Sequence, residues 1–196
     1  MINYPAKLAV IAADIITVDA DPHPLVYLNA FDILKIERQG RGFLFTEVRK
    51  VDEAGTKSGR LLSGLAAELD SDTSLVGHRL DRLIDGLVRL PCGDPRDAHC
   101  KPALLRIQAA LANEVVDVAW HDRDGLRSLE QLAHDYDLPA EWHRKGRQVG
   151  PNMLERELSA KAQCAWLAIA HASLTPIELR RALADYDQWR TANAIA

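Results

Sequence analysis

Cysteine is scarce in this chain: Cys92, Cys100 and Cys164 are an odd number with no Cys-x-x-Cys pair. That excludes a disulfide framework and suits the reducing cytoplasm. Cys92, His99 and Cys100 also lack zinc-ligand spacing and read as loop residues. No apolar run approaches the ~20 residues that cross a bilayer. The amino terminus has no basic stretch ahead of its first apolar run, and that run contains Asp14. No membrane partner and no signal peptide are expected, and the expected location is the cytoplasm. Positive charge is not in excess: the net charge is −4 and the pI about 6.0. A surface coated in Lys and Arg for nucleic acid is therefore excluded, although a local basic groove is not. Gly-x-Ser-x-Gly, the P-loop, Gly-x-Gly-x-x-Gly and His-Glu-x-x-His are all missing.

What is present is an ordinary globular composition, 47% hydrophobic and 27% charged, over 196 residues. That length suffices for one well-buried core, and no repeat or linker divides it, so one domain spanning 1–196 is expected. The stretch Leu8–Asp19, rich in Val, Ile and Ala between Pro5 and Asp21-Pro22, reads as a buried strand. Asp14 stands within it. Such an acid either caps and pairs locally or marks where the strand opens onto a site, commonly one that holds a metal. Leu25–Glu37 and Gly42–Val51 flank Gln39-Gly40-Arg41-Gly42 and read as a hairpin.

Helical periodicity then appears from Leu61 to Leu69, followed by a short strand at Leu75–His78. Leu80, Leu83, Ile84, Leu87 and Val88 make one face of the next helix, with Asp81, Arg82, Asp85 and Arg89 off it. Lys101–Asn113 reads as a helix and Val115–Val118 as a fifth strand, parallel to its neighbours because helices flank it. Ser128 is the expected N-cap of a helix over Leu129–Tyr136. Leu138–Asn152 reads as a surface loop, Met153–Ala172 as an Ala-rich helix, and Thr175-Pro176 as the start of the last one.

An antiparallel meander followed by strand–helix alternation, with an Asp on the first strand, resembles the ribonuclease-H-like fold in its DnaQ-like (DEDD) 3′–5′ exonuclease branch. Three places carry the resemblance. Ala13-Asp14-Ile15-Ile16-Thr17-Val18 is similar to the family's Asp-x-Glu-Thr. Leu75-Val76-Gly77-His78-Arg79, running on to Asp85, is similar to its hydrophobic-x-Gly-His-Asn strand end with a following Asp. Val116-Asp117-Val118, with Leu129-Glu130-Gln131-Leu132-Ala133 and Tyr136-Asp137-Leu138-Pro139, resembles the segment ahead of the third motif. The resemblance implies an α/β domain with a mixed five-stranded sheet, antiparallel meander first and parallel strands after, flanked by helices. It also implies a protein acting on or binding nucleic-acid ends.

In that family, phosphodiester hydrolysis is similar to a two-metal mechanism, with divalent ions ~3.5–4 Å apart held by several carboxylates. Two acids at i and i+2 of a strand serve this because both point to one face. Here the second of those positions is Ile16, Arg79 stands in place of the Asn, and the long helix has no Asp from Met153 to Ser173. Asp14 and Asp85 remain as ligands for Mg²⁺ or Mn²⁺, with Asp117 or His121 as an outer catalytic candidate. Hydrolysis is accordingly expected to be weakened or lost. Arg79, Arg82 and Arg89, with Arg144, Lys145 and Arg147, would meet phosphates as point charges or forks.

Plainer readings stand beside these. Asp85 is a solvated helix residue, Asp117 a strand-end cap, His78 a hydrogen-bonded strand-end side chain, and the basic residues a mixed-charge surface. His121, Asp122 and Asp124 then form a polar loop. The four tryptophans, Trp120, Trp142, Trp166 and Trp189, serve either stacking or core packing. The rival function is a non-catalytic protein-interaction module that keeps the fold without its metal site.

Overall fold

In a computed structural model, residues 4–18, 25–51, 58–70, 72–88, 90, 100–112, 114–120, 128–136 and 151–193 are described. Strands β1 (Lys7–Val18), β2 (Leu25–Gln39) and β3 (Gly42–Val51) open the chain. Helix α1 (Ser58–Ala67), β4 (Ser74–Gly77), α2 (Leu80–Val88), α3 (Cys100–Leu111) and β5 (Val115–Asp117) follow. The remainder is helical: α4 (Leu129–Asp135), α5 (Pro151–Ser173) and α6 (Pro176–Asn193).

The strands form one five-stranded sheet in the order β3-β2-β1-β4-β5. β1 pairs antiparallel with β2, and β2 antiparallel with β3, while β1–β4 and β4–β5 are parallel. The expected α/β class and mixed sheet are therefore present. The β2–β3 hairpin closes through Gly40-Arg41, with Gly40 at φ 60, a left-handed turn position that glycine takes without a Cβ clash.

Side-chain alternation along β1 divides the interior into two layers. Leu8, Val10 and Ala12 face one layer, built with α4, α5 and α6. Ala9 and Ile11 face the other, built with α1, α2 and α3, and Ala13 and Ile15 pack against it. A strand buried on both faces reads as a continuous apolar run, which is why Leu8–Ala13 shows no polar alternation. β4 is used the same way, with Val76 in the first layer and Leu75 in the second.

Helix α5 lies across the first layer. Its small residues Ala162, Ala165 and Ala170 are buried and let it sit close to the sheet. Trp166 is fully buried, donates its indole N–H to the Tyr4 hydroxyl at 3.1 Å and meets Phe45 edge-on at 4.9 Å. Tyr186 of α6 packs on Trp166 at 4.6 Å between centroids, and Trp189 packs on Phe45 and Tyr186. Trp166 and Trp189 thus serve core packing; Trp142 lies outside the described residues.

The helix ends follow their local chemistry. Ser128 accepts from the Gln131 amide and the Gln131 side chain accepts from the Ser128 amide, a full capping box. Thr175 and Glu178 do the same for α6, and Arg38 of β2 pairs with Glu178. Several boundaries differ from expectation. α5 begins at Pro151, because proline's fixed φ and missing N–H suit a first helical turn. β5 stops at Asp117, and Val118–Trp120 turn into a 3-10 helix because the Asp117 carboxylate captures the Ala119 amide. Cys100 opens α3 and is not a loop residue.

Gly77 ends β4 where there is no room for a side chain. A Cβ there would stand 2.7 Å from Leu80 Cδ2 and 3.1 Å from the Ile11 carbonyl oxygen. Gly77→Ala is expected to lower stability by ~1–3 kcal/mol through overpacking, read by urea denaturation. An unchanged midpoint would show that the β4–α2 junction is looser than this packing implies.

Candidate functional site

Asp14 sits in β1 beyond the stretch that pairs with β4, which runs from Leu8 to Val10. The alternation of Val10 and Ala12 into the α5 layer places Asp14 on that same face. Between Asp14 and Ile15 the β1–β2 register shifts: Asp14 pairs with Ala30 and Ile15 with Leu28. Asn29 is the extra residue of this bulge. Its amide donates to Asp14 Oδ2 at 2.8 Å. A bulge that re-aims a polar side chain is a common device at the end of a paired stretch. The acid on the first strand thus has a local partner, one of the two readings open for it.

Asp85 is carried by α2, which packs on β1 from the other layer. A Cβ on Gly86 would lie 2.6 Å from Ile15 Cδ1, so the helix sits directly on Ile15. Asp85 itself is exposed. Asp14 and the helix bearing Asp85 therefore meet β1 on opposite faces. Ile16, two residues beyond Asp14 on its face, is 42% exposed. Among the described residues no group of three or more His, Cys, Asp or Glu is placed to hold a metal ion. These donors do not fit a two-metal centre, which needs several converging carboxylates.

Asp117 has a definite structural task. Its Oδ1 accepts from the Arg79 amide at 2.9 Å and from the Ala119 amide at 3.0 Å, and its Oδ2 accepts from the Leu80 amide at 2.8 Å. Arg79 adopts φ 56, a left-handed conformation that a side-chain-bearing residue keeps only when its surroundings hold it. The Asp117 carboxylate supplies that hold and caps α2 from the neighbouring strand end. Arg79 is half-buried and Arg82 exposed, both at this β4–α2 corner. His121, Arg89, Arg144, Lys145 and Arg147 lie outside the described residues.

The functional reading of the sequence missed a polar arrangement beside α5. Asp32 of β2 is wholly buried on the α5 face, between Ala12 of β1 and Arg49 of β3. Arg49 Nε lies 3.4 Å from Asp32 Oδ2, and the same guanidinium bonds Glu47, whose side chain is only 5% exposed. Ser159 of α5 donates to Glu47 and receives the Gln163 amide at 2.9 Å; Gln163 in turn accepts from the Tyr186 hydroxyl. As a carboxylate, Asp32 would receive no hydrogen bond at either oxygen. Burial, and next the nearby Glu47 carboxylate, push its pKa far above the usual carboxylate range against the pull of Arg49.

The signal was strand parity. Ala30, Leu34 and Ile36 bury one face of β2, and Asp32 falls between them.

Comparison with protein-family models, with curated proteins and with solved structures returns no match for this chain. Among the described residues, no helix is long and apolar enough to cross a membrane.

Asp117→Ala would leave three backbone amides without their acceptor. It is expected to cost ~2–3 kcal/mol in urea denaturation, the range for bonds to a charged group. A loss below ~0.5 kcal/mol would deny Asp117 its capping role.

Proposed function

We propose that this chain is a ribonuclease-H-like, DnaQ-type exonuclease relative. In this reading it binds single-stranded nucleic-acid ends, and its metal-dependent hydrolysis is weakened or lost. The observation that carries the reading is the strand order β3-β2-β1-β4-β5, with an antiparallel meander and then two parallel strands. A sheet without the meander would have spoken for an unrelated α/β protein. The order makes the Asp14-bearing strand central and sets the Gly77-His78-Arg79 corner beside it.

The acids do not support a conventional centre, so the reading assigns the protein binding before catalysis. At most one Mg²⁺ or Mn²⁺ would be held weakly, with Asp14 as its principal ligand. Arg79 and Arg82 at the β4–α2 corner would meet phosphate oxygens, which neutralises backbone charge without reading sequence. Arg144, Lys145 and Arg147, ahead of α5 in the sequence, would add to the same footprint.

A second reading has an observation of its own. Ile16 and Val18, 42% and 46% exposed, stand on one face of β1 where a nuclease would keep polar donors. An apolar strand end of this kind favours a module that docks on a protein partner. The two differ in what salt does to binding.

Fluorescence anisotropy with a labelled single-stranded oligonucleotide tests the first reading. Binding is expected to weaken with salt, and Arg82→Ala to reduce the slope of log K against log[salt] by about one. Little or no mononucleotide should be released in Mg²⁺ or Mn²⁺. Absence of any salt-dependent binding would favour the protein-docking module. Rapid metal-dependent release abolished by Asp14→Ala would instead restore a working nuclease.

A further inference from the structure

Beside α5 two carboxyl side chains, Asp32 and Glu47, meet one guanidinium, that of the partly exposed Arg49, and among the described residues the charges do not balance. Arg49 is bonded to Glu47 and stands at ion-pair distance from Asp32, so a single guanidinium serves two carboxyls. Asp32 has no exposed surface through which water could replace the missing partner. Among the described residues, Arg49 is the cation that acts on Asp32. From α5 comes Glu155, whose charge acts on both Asp32 and Arg49. From β1, Asp14 lies on the same face beyond Ala12, the cross-strand neighbour of Asp32. From α6, Tyr186 approaches Glu47, and Arg190 lies over the Tyr186 ring. Two like charges this close share one proton more cheaply than they ionise together.

The shared guanidinium connects this charge balance to the seating of a helix. Glu47 is the group to which Ser159 of α5 is tied, and Gln163 and Tyr186 extend the tie to α6. We propose that Asp32, Glu47 and Arg49 form a proton-controlled latch that fastens the amino-terminal half of α5 to β2 and β3. With the proton on Asp32, Arg49 belongs to Glu47, and Glu47 holds Ser159. Loss of that proton to solvent base leaves Asp32 a bare anion that competes with Glu47 for the guanidinium and withdraws it from the Ser159 chain. The same helix covers the sheet face on which Asp14 stands, so the latch sets how firmly that face is closed.

The direction follows from linkage. In acid below the ordinary carboxylate range, Asp32 is protonated whether the chain is folded or not, and it contributes nothing. Above that range the unfolded chain releases the proton and the folded chain keeps it, so folding weakens as pH rises. The weakening ends only where the folded acid also ionises, and there the latch opens.

Thermal unfolding of the full chain between about pH 6 and pH 8, wild type beside Asp32→Asn, is the test. The amide keeps the size and removes the charge. Asp32→Asn is expected to melt higher, with the gap widening by about 3–5 °C per pH unit. A gap that stays constant or narrows overturns the proposal. Glu47→Gln relieves the competition for Arg49 and is expected to flatten the pH dependence; full retention of it would remove the shared guanidinium from the account. Should Asp32→Asn fail to fold, hydrogen exchange on the wild type decides. Amides from Glu155 to Gln163 should lose protection faster with pH than those of α6, after correction for intrinsic base catalysis. Parallel loss in both helices would contradict the latch.

Discussion

Burial of β1 on both faces is the constraint on which the rest of this structure depends. A strand whose alternate residues must all be apolar can only sit inside a sheet covered by helices on two sides. Leu8, Val10 and Ala12 require α5; Ala9 and Ile11 require α1 and α3. Parallel pairing with β4 needs a crossover connection, and α1 lies along it, against β2 in the second layer. The edges are left to β3 and β5, and β3 is shielded on one side by α6 through Phe43 and Phe45.

Beyond the stretch of β1 that pairs with β4, polar chemistry begins. Asp14 and Asn29 use a bulge to satisfy each other, and Asp117 settles the left-handed corner at Arg79. In the same layer, the partly exposed Arg49 supplies positive charge to Asp32, Glu47 and Glu155. A partly exposed guanidinium, as on Arg49, pairs with carboxylates without the oxygen-rich shell that a divalent ion demands. One guanidinium does not offset all of these acids, although the sheet has the expected antiparallel meander followed by parallel strands.

Most of this architecture was legible in the residues because its signals are local. Apolar runs, the Gly40-Arg41 turn, the Ser128 and Thr175 caps and the face of Leu80, Leu83 and Leu87 each announce an element. Parallel pairing of β5 followed from the helices around it. The polar sites were less legible, since they depend on which strands become neighbours. Asp32 and Arg49 are seventeen positions apart and become partners only through the β2–β3 register. Asp117 and Arg79 meet only because β5 lies beside β4. Asp14 and Asp85 could be aligned along a motif, but whether they meet depends on the face from which α2 approaches β1, and Gly86 against Ile15 decides that.

The acids carried by this mixed sheet, among the described residues, do not assemble a site for a pair of metal ions. Electron paramagnetic resonance of the full chain titrated with Mn²⁺ tests this most directly. The account predicts either free aquo-manganese alone or one weakly bound, magnetically isolated ion that disappears in Asp14→Ala. A spin-coupled pair, the signature of ions ~3.5–4 Å apart, would contradict it and return Asp14 and Asp85 to a shared catalytic centre.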